Sequence, residues 1–267
     1  MTALEDSELL RYSRHFLLPQ WQPDSQDRLS QAVVLLIGVG GLGSAAALYL
    51  AAAGVGTLYL VDHDQVELSN LQRQVIHSTD SIGGSKAESA ACRLQALNPG
   101  VRLLPVSQRV DAEFLSTLET MPDLVLDGSD NFLTRYAVNA FCVGQGIPLV
   151  SGAAIGWTGQ LGVFDSRLSG TPCYQCIYPA KESTEESTEE AEDSCFRSGV
   201  IGPLVGVIGS MMALEGIKVL TRLESPLISR FLVYDSARSE FRTLKTRQDP
   251  QCPVCAARQA ARKAGPL

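Results

Sequence analysis

A hydrophobic run that leads directly into closely spaced glycines constrains the fold of this chain more than any other feature. Val33–Ile37 is apolar throughout and predicts a buried strand. Three glycines follow at the spacing G-x-G-x-x-G: Gly38, Gly40 and Gly43. This spacing allows a tight turn, a close approach of the backbone to a phosphate, and tight packing of helix on strand. An alanine-rich segment from Ser44 then predicts a helix that ends at Gly54, and its N-terminus would offer free N–H groups to an anion.

This strand, turn and helix predict a nucleotide site, and the alternative is a glycine-rich turn that only packs. A second predicted strand, Gly56–Val61, ends in Asp62, where an acidic partner for ribose hydroxyls is expected. Strands and helices alternate up to about residue 150, which predicts a Rossmann-like, doubly wound and mainly parallel sheet. Later segments have hairpin spacing and predict antiparallel strands at the C-terminal side.

The predicted organisation is one domain over 267 residues, of which 45% are hydrophobic. Residues 1–30 form a helical arm in this prediction, with one helix over 4–17, and residues 31–165 form the nucleotide-binding core. Further helices are predicted over Ala112–Thr120 and Leu204–Leu220.

Charge and hydropathy argue against nucleic-acid and membrane partners. The net charge of −7 comes from Glu182–Asp193, which holds seven acids and no base. The remainder of the chain is neutral overall, which is not typical of a nucleic-acid-binding surface. No apolar run reaches the roughly 18–20 residues of a membrane span, and the acidic start lacks a secretory signal. We therefore expect a cytoplasmic protein.

Four of the seven cysteines form two C-x-x-C pairs: Cys173 with Cys176, and Cys252 with Cys255. In a chain without a secretion signal, this pattern indicates a zinc site more often than disulfides, and the alternative is two redox-active pairs. Four thiolates leave no position for water, so the predicted zinc knuckle is structural. It would attach residues 173–255 to the body of the protein. This part contains an acidic crossover loop over 181–194, which is predicted to be flexible. Cys92 and Cys142 fall in predicted helices and are expected to be buried.

Polar side chains follow the predicted strands at the edge where ligands bind in doubly wound sheets. Lys86 falls in the first turn of a helix, where the macrodipole favours anions, so it faces a bound anion or is an ordinary surface lysine. Asp130 and Asn131 follow the strand Asp123–Asp127, and the alternative role for Asp130 is to cap the next helix. From the residues alone, Arg14 is expected to lie on a solvent-exposed helix face.

Motifs spread in order from about Leu10 to Cys255 resemble the ThiF/MoeB/HesA family, relatives of the ubiquitin-activating enzymes. They are LRYSRH, GVGGLGS, LVDHDQVELSNLQRQ, GGSKAES, LVLDGSDNFLTR, PLVSGAAIG, CYQC, GVIGPLVGVIGSMMALEGIK and CPVC. The resemblance implies an ATP-dependent adenylyltransferase that activates the C-terminal glycine of a ubiquitin-like sulfur-carrier protein ending in Gly-Gly and releases pyrophosphate. It also implies a homodimer that uses ATP, Mg²⁺ and Zn²⁺.

The resemblance assigns roles to individual residues. Nucleotide binding is implied for Gly38, Gly40, Gly41, Gly43, Asp62, Asp64, Ser69, Asn70, Leu71, Gln72, Arg73, Lys86, Asp130 and Asn131. Within this set Asp62 would bind the ribose, Asp130 the magnesium, and three residues the phosphates: Asn70, Arg73 and Lys86. Arg14 would reach the active site of the other subunit. Cys195 matches a cysteine that bonds covalently to the carrier in some members, and the alternative is a surface thiol without a role.

The sequence leaves three points about the function open. The carrier is ThiS-like (thiamine thiazole synthesis), which the segment RSGVIGP slightly favours, or MoaD-like (molybdopterin synthesis). The chain ends soon after Cys255, so the sulfur donor is expected to be a separate sulfurtransferase or cysteine desulfurase. Two functions of other classes compete: a nicotinamide-dependent oxidoreductase, which leaves Arg73, Lys86 and Asp130 without a joint role, and a carrier-binding scaffold without catalysis.

Overall fold

The computed structural model describes residues 5–180, 199–256 and 258. Within these ranges one sheet of eight strands runs through the molecule. The strands are β1 (Val33–Ile37), β2 (Thr57–Val61), β3 (Arg102–Val106), β4 (Leu124–Asp127), β5 (Leu149–Ile155), β6 (Thr158–Phe164), β7 (Arg230–Asp235) and β8 (Glu240–Lys245).

The strand order is β3-β2-β1-β4-β5-β6-β7-β8. The strands β1 to β5 pair in parallel, and β6, β7 and β8 add three antiparallel pairings. All four residues of β4 are buried, as expected for a parallel strand covered on both faces, whereas every residue of the edge strand β8 is exposed. The predicted mainly parallel sheet with antiparallel C-terminal strands is confirmed.

Helices cover both faces of the sheet. They are α1 (Asp6–Arg11), α2 (Ser13–Phe16), α3 (Ser25–Gln31), α4 (Gly41–Ala53), α5 (Lys86–Leu97), α6 (Ala112–Ser116), α7 (Phe132–Gln145), α8 (Tyr174–Ile177) and α9 (Gly202–Thr221), with 3₁₀ turns at Leu68–Asn70 and Thr79–Ser81. One apolar cluster joins the sheet to α4, α5 and α9, and a second joins its other face to α6, α7 and α8. The sheet is therefore the middle of three layers.

The bounds of three predicted helices are wrong. The arm is not one helix over 4–17, because it breaks at Tyr12, whose hydroxyl accepts a hydrogen bond from Asn98 at 3.0 Å. The helix predicted from Ser44 begins at Gly41, since the Ser44 amide already donates to the Gly40 carbonyl. The third, predicted over Ala112–Thr120, ends at Ser116, where the Ser116 and Thr117 hydroxyls donate to carbonyls of the preceding turn.

Among the described residues, α9 is the one helix long and apolar enough to cross a membrane by length and composition, with a mean hydropathy of 1.6. The expectation that no stretch reaches spanning length is therefore wrong for α9, because its few charged residues scarcely lower its hydropathy. Half of the apolar window is buried inside the protein, where α9 packs on α4, β5 and β6. Its buried Glu215 pairs with Lys218 at 2.6 Å. The packing of α9 is that of a core helix.

The two cysteines outside the C-x-x-C pairs differ in burial. Cys142 is buried in α7, as predicted, and burial raises the pKa of its thiol. Cys92 is exposed, so the prediction for it is wrong. The buried face of α5 is formed instead by Ala87, Ala90 and Leu94, and Cys92 lies outside that face.

A Gly43→Ala substitution is expected to destabilise the fold by about 3 kcal/mol or more. A Cβ atom at Gly43 would lie 1.9 Å from the Gly38 carbonyl oxygen, which is backbone of the preceding turn and cannot rotate away. The matched control is Gly144→Ala, because Gly144 is also helical and has nothing within 4 Å of an added Cβ. Urea denaturation of both variants measures the difference, and equal stabilities would contradict the tight packing of turn and helix.

Candidate functional site

The turn after β1 meets the turn after β4 at the point where the strand order reverses direction. Gly38 has a φ of +79°, which favours glycine, and an added Cβ atom would lie 3.0 Å from the Gly128 carbonyl oxygen. Ligands of doubly wound sheets bind in the crevice outside the carboxyl ends of the strands at such a point. The crevice between β1 and β4 is therefore the candidate site.

Two side chains hold the backbone of the glycine turn at Val39. The Asp62 carboxylate accepts from the Val39 amide at 2.8 Å and from the Asp64 amide at 2.9 Å. His77 Nε2 lies 3.1 Å from the Val39 carbonyl oxygen, and its Nδ1 lies 3.0 Å from the Ser89 hydroxyl. Because a carbonyl only accepts, Nε2 carries the hydrogen and Nδ1 accepts from Ser89. Both polar groups of the Val39 peptide are thus fixed.

Sequence reasoning gave His77 no role, since its contacts depend on tertiary structure. Burial lowers the pKa of His77, which its hydrogen bond to Val39 only partly offsets, so its imidazole is neutral near pH 7. An unfolded chain would bind this proton first, so the contribution of His77 to stability is present above its unfolded pKa of about 6.5 and is lost as the pH falls.

A His77→Leu substitution is expected to weaken binding of the predicted nucleotide about tenfold, the effect of roughly one hydrogen bond at the glycine turn. The Val39 carbonyl would lose its donor while the packing volume is retained. A His77→Gln variant supplies an amide donor and is expected to restore part of the affinity. Titration of each variant with nucleotide checks both predictions, and an unchanged affinity in His77→Leu would show that the turn does not need this bond.

Lys86 lies at the first turn of α5 and points its ammonium at Asp64. The Nζ atom is 2.8 Å from Asp64 Oδ2, and Lys86 is 5% exposed. Burial alone would raise the pKa of Asp64, but the hydrogen bond and charge of Lys86 outweigh it and lower that pKa. An ammonium has three N–H donors, so Lys86 can hold a second anionic group beside this carboxylate. The Ser85 hydroxyl caps α5 by accepting from the Glu88 amide at 3.4 Å.

The polar segment over residues 69–74 lies against the glycine turn and the start of α9. An added Cβ atom at Gly40 would lie 3.3 Å from Gln74 Nε2, and one at Gly202 would lie 2.5 Å from the Gln72 carbonyl oxygen. Asn70 is buried, and Arg73 Nη1 donates to the Ser69 carbonyl at 3.1 Å. Leu71 is half-buried within the same segment. The segment thus lies at the sheet edge that holds the glycine turn.

Asp130 and Asn131 follow β4 on the other side of the crevice. The helix α7 is capped by Asn131, whose Oδ1 accepts from the Thr134 amide at 2.8 Å. The alternative role of Asp130 as this cap is therefore wrong. Asp130 is exposed, and within the described ranges no hydrogen bond or ion pair joins its carboxylate to another residue. Its carboxylate is available for an external cation.

The structure does not bring Arg14 to this crevice within one chain. Its neighbour His15 bonds Gln26 at 3.1 Å, and Gln26 donates to the Ala53 carbonyl at the far end of α4. The 13 residues of α4 make a helix about 20 Å long, and the glycine turn lies at its opposite end. Cys195 and the predicted flexible loop over 181–194 lie outside the described residues.

The four C-x-x-C thiols converge on one point. Their Sγ atoms lie 3.9 Å apart for Cys173 and Cys176, 3.6 Å for Cys173 and Cys252, and 3.4 Å for Cys176 and Cys255. Zinc–sulfur bonds of about 2.3 Å in a tetrahedron require sulfurs about 3.8 Å apart. The donor set and its spacing therefore fit a zinc ion, which would tie the segment after β8 to α8.

Hydrogen-bond donors surround these sulfurs. The Asp249 amide donates to Cys176 Sγ at 3.4 Å and the Asn139 amide group to Cys173 Sγ at 3.6 Å. The hydrogen bond from the Cys173 thiol, and then the one from the Asp249 amide, outweigh burial and lower the pKa of Cys176. Such donors favour thiolates, which are the form that binds metal.

Comparison with known proteins decides the family. Residues 12–254 match the family described as ThiF. The chain belongs to the ThiF family. A molybdopterin-synthase adenylyltransferase of Escherichia coli is 43% identical over 96% of this chain and 99% of its own length. The ThiS adenylyltransferase of the same species is 42% identical over 94% and 97%, and a sulfur carrier protein adenylyltransferase of Thermus thermophilus is 45% identical over 93% and 91%.

Solved structures support the same assignment of the fold. The crystal structure of E. coli MccB with ATP matches with a TM-score of 0.80 at 26% identity, over 95% of this chain and 75% of that one. The complex of MccB with AMPCPP and MccA gives a TM-score of 0.80 at 25% identity, over 96% and 75%. The resemblance to the ThiF family and the prediction of an adenylyltransferase are confirmed. The relatives include both ThiS-directed and molybdopterin-synthase-directed enzymes, so they do not separate the two predicted carriers.

Proposed function

We propose that this ThiF-family protein adenylates the C-terminal glycine of a ubiquitin-like sulfur carrier with ATP and releases pyrophosphate. What supports the proposal is that Asp62 holds the glycine turn after β1, that Lys86 pairs with Asp64 close to Asp62, and that this turn packs against Gly128, two residues before Asp130. Relatives with 42–45% identity are named as adenylyltransferases of such carriers, and MccB of similar fold is recorded with ATP.

The reaction proposed for this crevice needs positioning and charge neutralisation more than proton transfer. The nucleophile is a carboxylate, which is ionised at pH 7 and requires no general base. Free amides at the start of α4 would hold phosphate oxygens, and Asp62 would bind the ribose hydroxyls. Arg73 and Lys86 would offset the charge that develops as the bond to pyrophosphate breaks. Asp130 would hold Mg²⁺, which when bound withdraws charge from the triphosphate.

Pyrophosphate exchange with ThiS-like and MoaD-like carriers tests the proposal. Exchange of labelled pyrophosphate into ATP is expected only when a carrier with an intact Gly-Gly terminus is present. A carrier that lacks the last glycine is the matched control. Exchange with the ThiS-like carrier alone would support thiazole synthesis, which the segment RSGVIGP slightly favours, and exchange with the MoaD-like carrier alone would support molybdopterin synthesis. No exchange with either carrier would overturn the proposed function.

We further propose that the arm, the core and the zinc-clipped part act as one adenylation domain in a cytoplasmic homodimer. Arg14 would then enter the crevice of the other subunit, and its distance from the crevice of its own chain supports this arrangement. The sulfur donor would be a separate sulfurtransferase or cysteine desulfurase. A covalent bond between Cys195 and the carrier remains a proposal, tested by a thiol-sensitive adduct that Cys195→Ala lacks.

Mixing two inactive variants is expected to restore activity if Arg14 acts across the dimer. In a dimer of Arg14→Ala with Asp130→Asn, one crevice has both intact residues and the other has neither. Random exchange of subunits would make about a quarter of all sites functional. Pyrophosphate exchange before and after mixing measures the gain, and a mixture as inactive as its parts would place Arg14 outside the partner's site.

A further inference from the structure

One face of α7 contacts both the cysteine cluster and the loop that carries Asp130. Asn131, Arg135 and Asn139 are spaced four residues apart, which places them on the same side of the helix. Asn131 caps the helix, Arg135 reaches the loop before it, and Asn139 reaches the cluster. The side chains on this face therefore connect two sites that the sequence presents as separate.

Arg135 ties the loop after β4 to the neighbouring strand β5. Its guanidinium donates to the Ser129 carbonyl, to the Gly152 carbonyl at 2.9 Å and to the Ser151 hydroxyl at 3.4 Å. Ser129 immediately precedes Asp130. Burial would lower the pKa of Arg135, but the charge of Asp127 leads the effects that raise it overall, so the guanidinium stays protonated. The position of the Asp130 backbone depends on this buried cation.

Asn139 fixes the first turn of the zinc knuckle in a similar way. It is 1% exposed. Its Oδ1 accepts from the Tyr174 amide at 2.9 Å, and its Nδ2 donates to Cys173 Sγ at 3.6 Å. Donors to a metal-bound thiolate stabilise the charge on sulfur and orient the ligand. Both polar ends of the Asn139 amide are thus committed to the cysteine cluster.

A second contact joins the same two regions directly. The guanidinium carbon of Arg135 lies 5.9 Å from the centre of the Tyr174 ring, and Tyr174 directly follows Cys173, one of the four clustered cysteines. Tyr174 is buried, so its ring faces the guanidinium away from water. A displaced knuckle would therefore move the partner of Arg135 as well as that of Asn139.

We propose that α7 couples the cysteine cluster to the Asp130 loop, with Arg135 and Asn139 as positioning residues, so that zinc in the cluster strengthens binding of magnesium–nucleotide in the crevice. The inference rests on the proposed function for the identity of the nucleotide. Coupling between two sites is reciprocal. Magnesium–nucleotide must therefore strengthen zinc binding by the same factor by which zinc strengthens magnesium–nucleotide binding.

Zinc affinity, measured by competition with a zinc-selective chelator with and without Mg²⁺ and a non-hydrolysable ATP analogue, tests this coupling. In the wild-type protein the ligand is expected to tighten zinc binding about fivefold or more. In Arg135→Lys, which keeps the charge but loses the forked donors, and in Asn139→Ala, the effect of the ligand is expected to fall to near one. Ala140→Ser, at an exposed position of the same helix, is the matched control and is expected to behave as wild type.

A spectroscopic measurement separates positioning from a general loss of structure. In the cobalt(II)-substituted protein, Asn139→Ala is expected to shift the thiolate-to-cobalt charge-transfer band, because Cys173 loses a donor, and Ala140→Ser is not. If the nucleotide binds to the wild-type protein without changing its zinc affinity, the coupling is overturned but the proposed function is not. Absence of nucleotide binding to the wild-type protein would instead overturn the proposed function, and an unshifted cobalt band would remove the role of Asn139.

Discussion

Replacing Asp130 with asparagine is expected to lower the rate of pyrophosphate exchange on the order of 10²–10³-fold. The substitution keeps the shape of the side chain and removes the charge that would hold Mg²⁺. Asp130 is exposed and has no hydrogen bond or ion pair within the described part of the chain, so its loss should leave the free energy of unfolding nearly unchanged. The expected deficit therefore lies in catalysis and in magnesium dependence, and not in the amount of folded protein.

Exchange rates at varied Mg²⁺, with a melting curve for each variant, measure this effect. Glu224→Gln is the matched control, since Glu224 is exposed and follows the C-terminal end of α9, about 30 Å along that 20-residue helix from the end beside the glycine turn. It is expected to retain wild-type exchange. An Asp130→Asn variant with wild-type exchange at every magnesium concentration would show that the carboxylate does not hold the metal.

Replacing Cys252 with serine is expected to remove the bound zinc and to lower the free energy of unfolding by about 4 kcal/mol or more. Structural zinc sites bind with roughly 10–16 kcal/mol in small peptides, and part of that free energy stabilises the fold. Cys252 is buried and its Sγ lies 3.6 Å from that of Cys173, so its loss leaves three ligands. The segment after β8 would then lose its attachment to α8.

Zinc content per chain and the midpoint of chemical denaturation measure the outcome. The matched control is Cys92→Ser, because Cys92 is exposed on α5 and lies outside the cluster. The control is expected to hold one zinc ion per chain, as the wild type does. Wild-type stability in Cys252→Ser after the zinc is lost would contradict a structural role, and absence of zinc from the wild-type protein would contradict the metal assignment.

The parts of the fold that local patterns determine could be predicted from the sequence. An apolar run before closely spaced glycines predicts β1 and its turn. The apolar side chains of the run are buried in the core, and the turn needs a residue that tolerates the φ of +79° found at Gly38. Acids at strand ends, such as Asp62, could be placed in the crevice because the carboxyl ends of parallel strands share one edge. The cluster of four cysteines could be predicted from the spacing of the two C-x-x-C pairs.

Contacts between residues distant in sequence could not be predicted in this way. His77 bonds the Val39 carbonyl, 38 residues away, and Arg135 bonds the Gly152 carbonyl, 17 residues away. A local sequence pattern does not reveal either partner. The break of the arm at Tyr12 depends on Asn98, which is 86 residues away. The predicted start of α4 was wrong because its first turn contains glycines, which the apolar periodicity does not mark as helical. The predicted end of α6 was wrong because side-chain hydroxyls bond the backbone there and end the helix early.

The intact mass of the carrier protein after incubation with enzyme, ATP and Mg²⁺, in the absence of a sulfur donor, tests the proposed chemistry most directly. Attack of the terminal carboxylate on the innermost phosphorus predicts that the carrier gains one adenylyl group and that one pyrophosphate is released per carrier. A carrier that gains a single phosphoryl group, or that stays unmodified while ATP is consumed, would contradict adenylation in the crevice between β1 and β4.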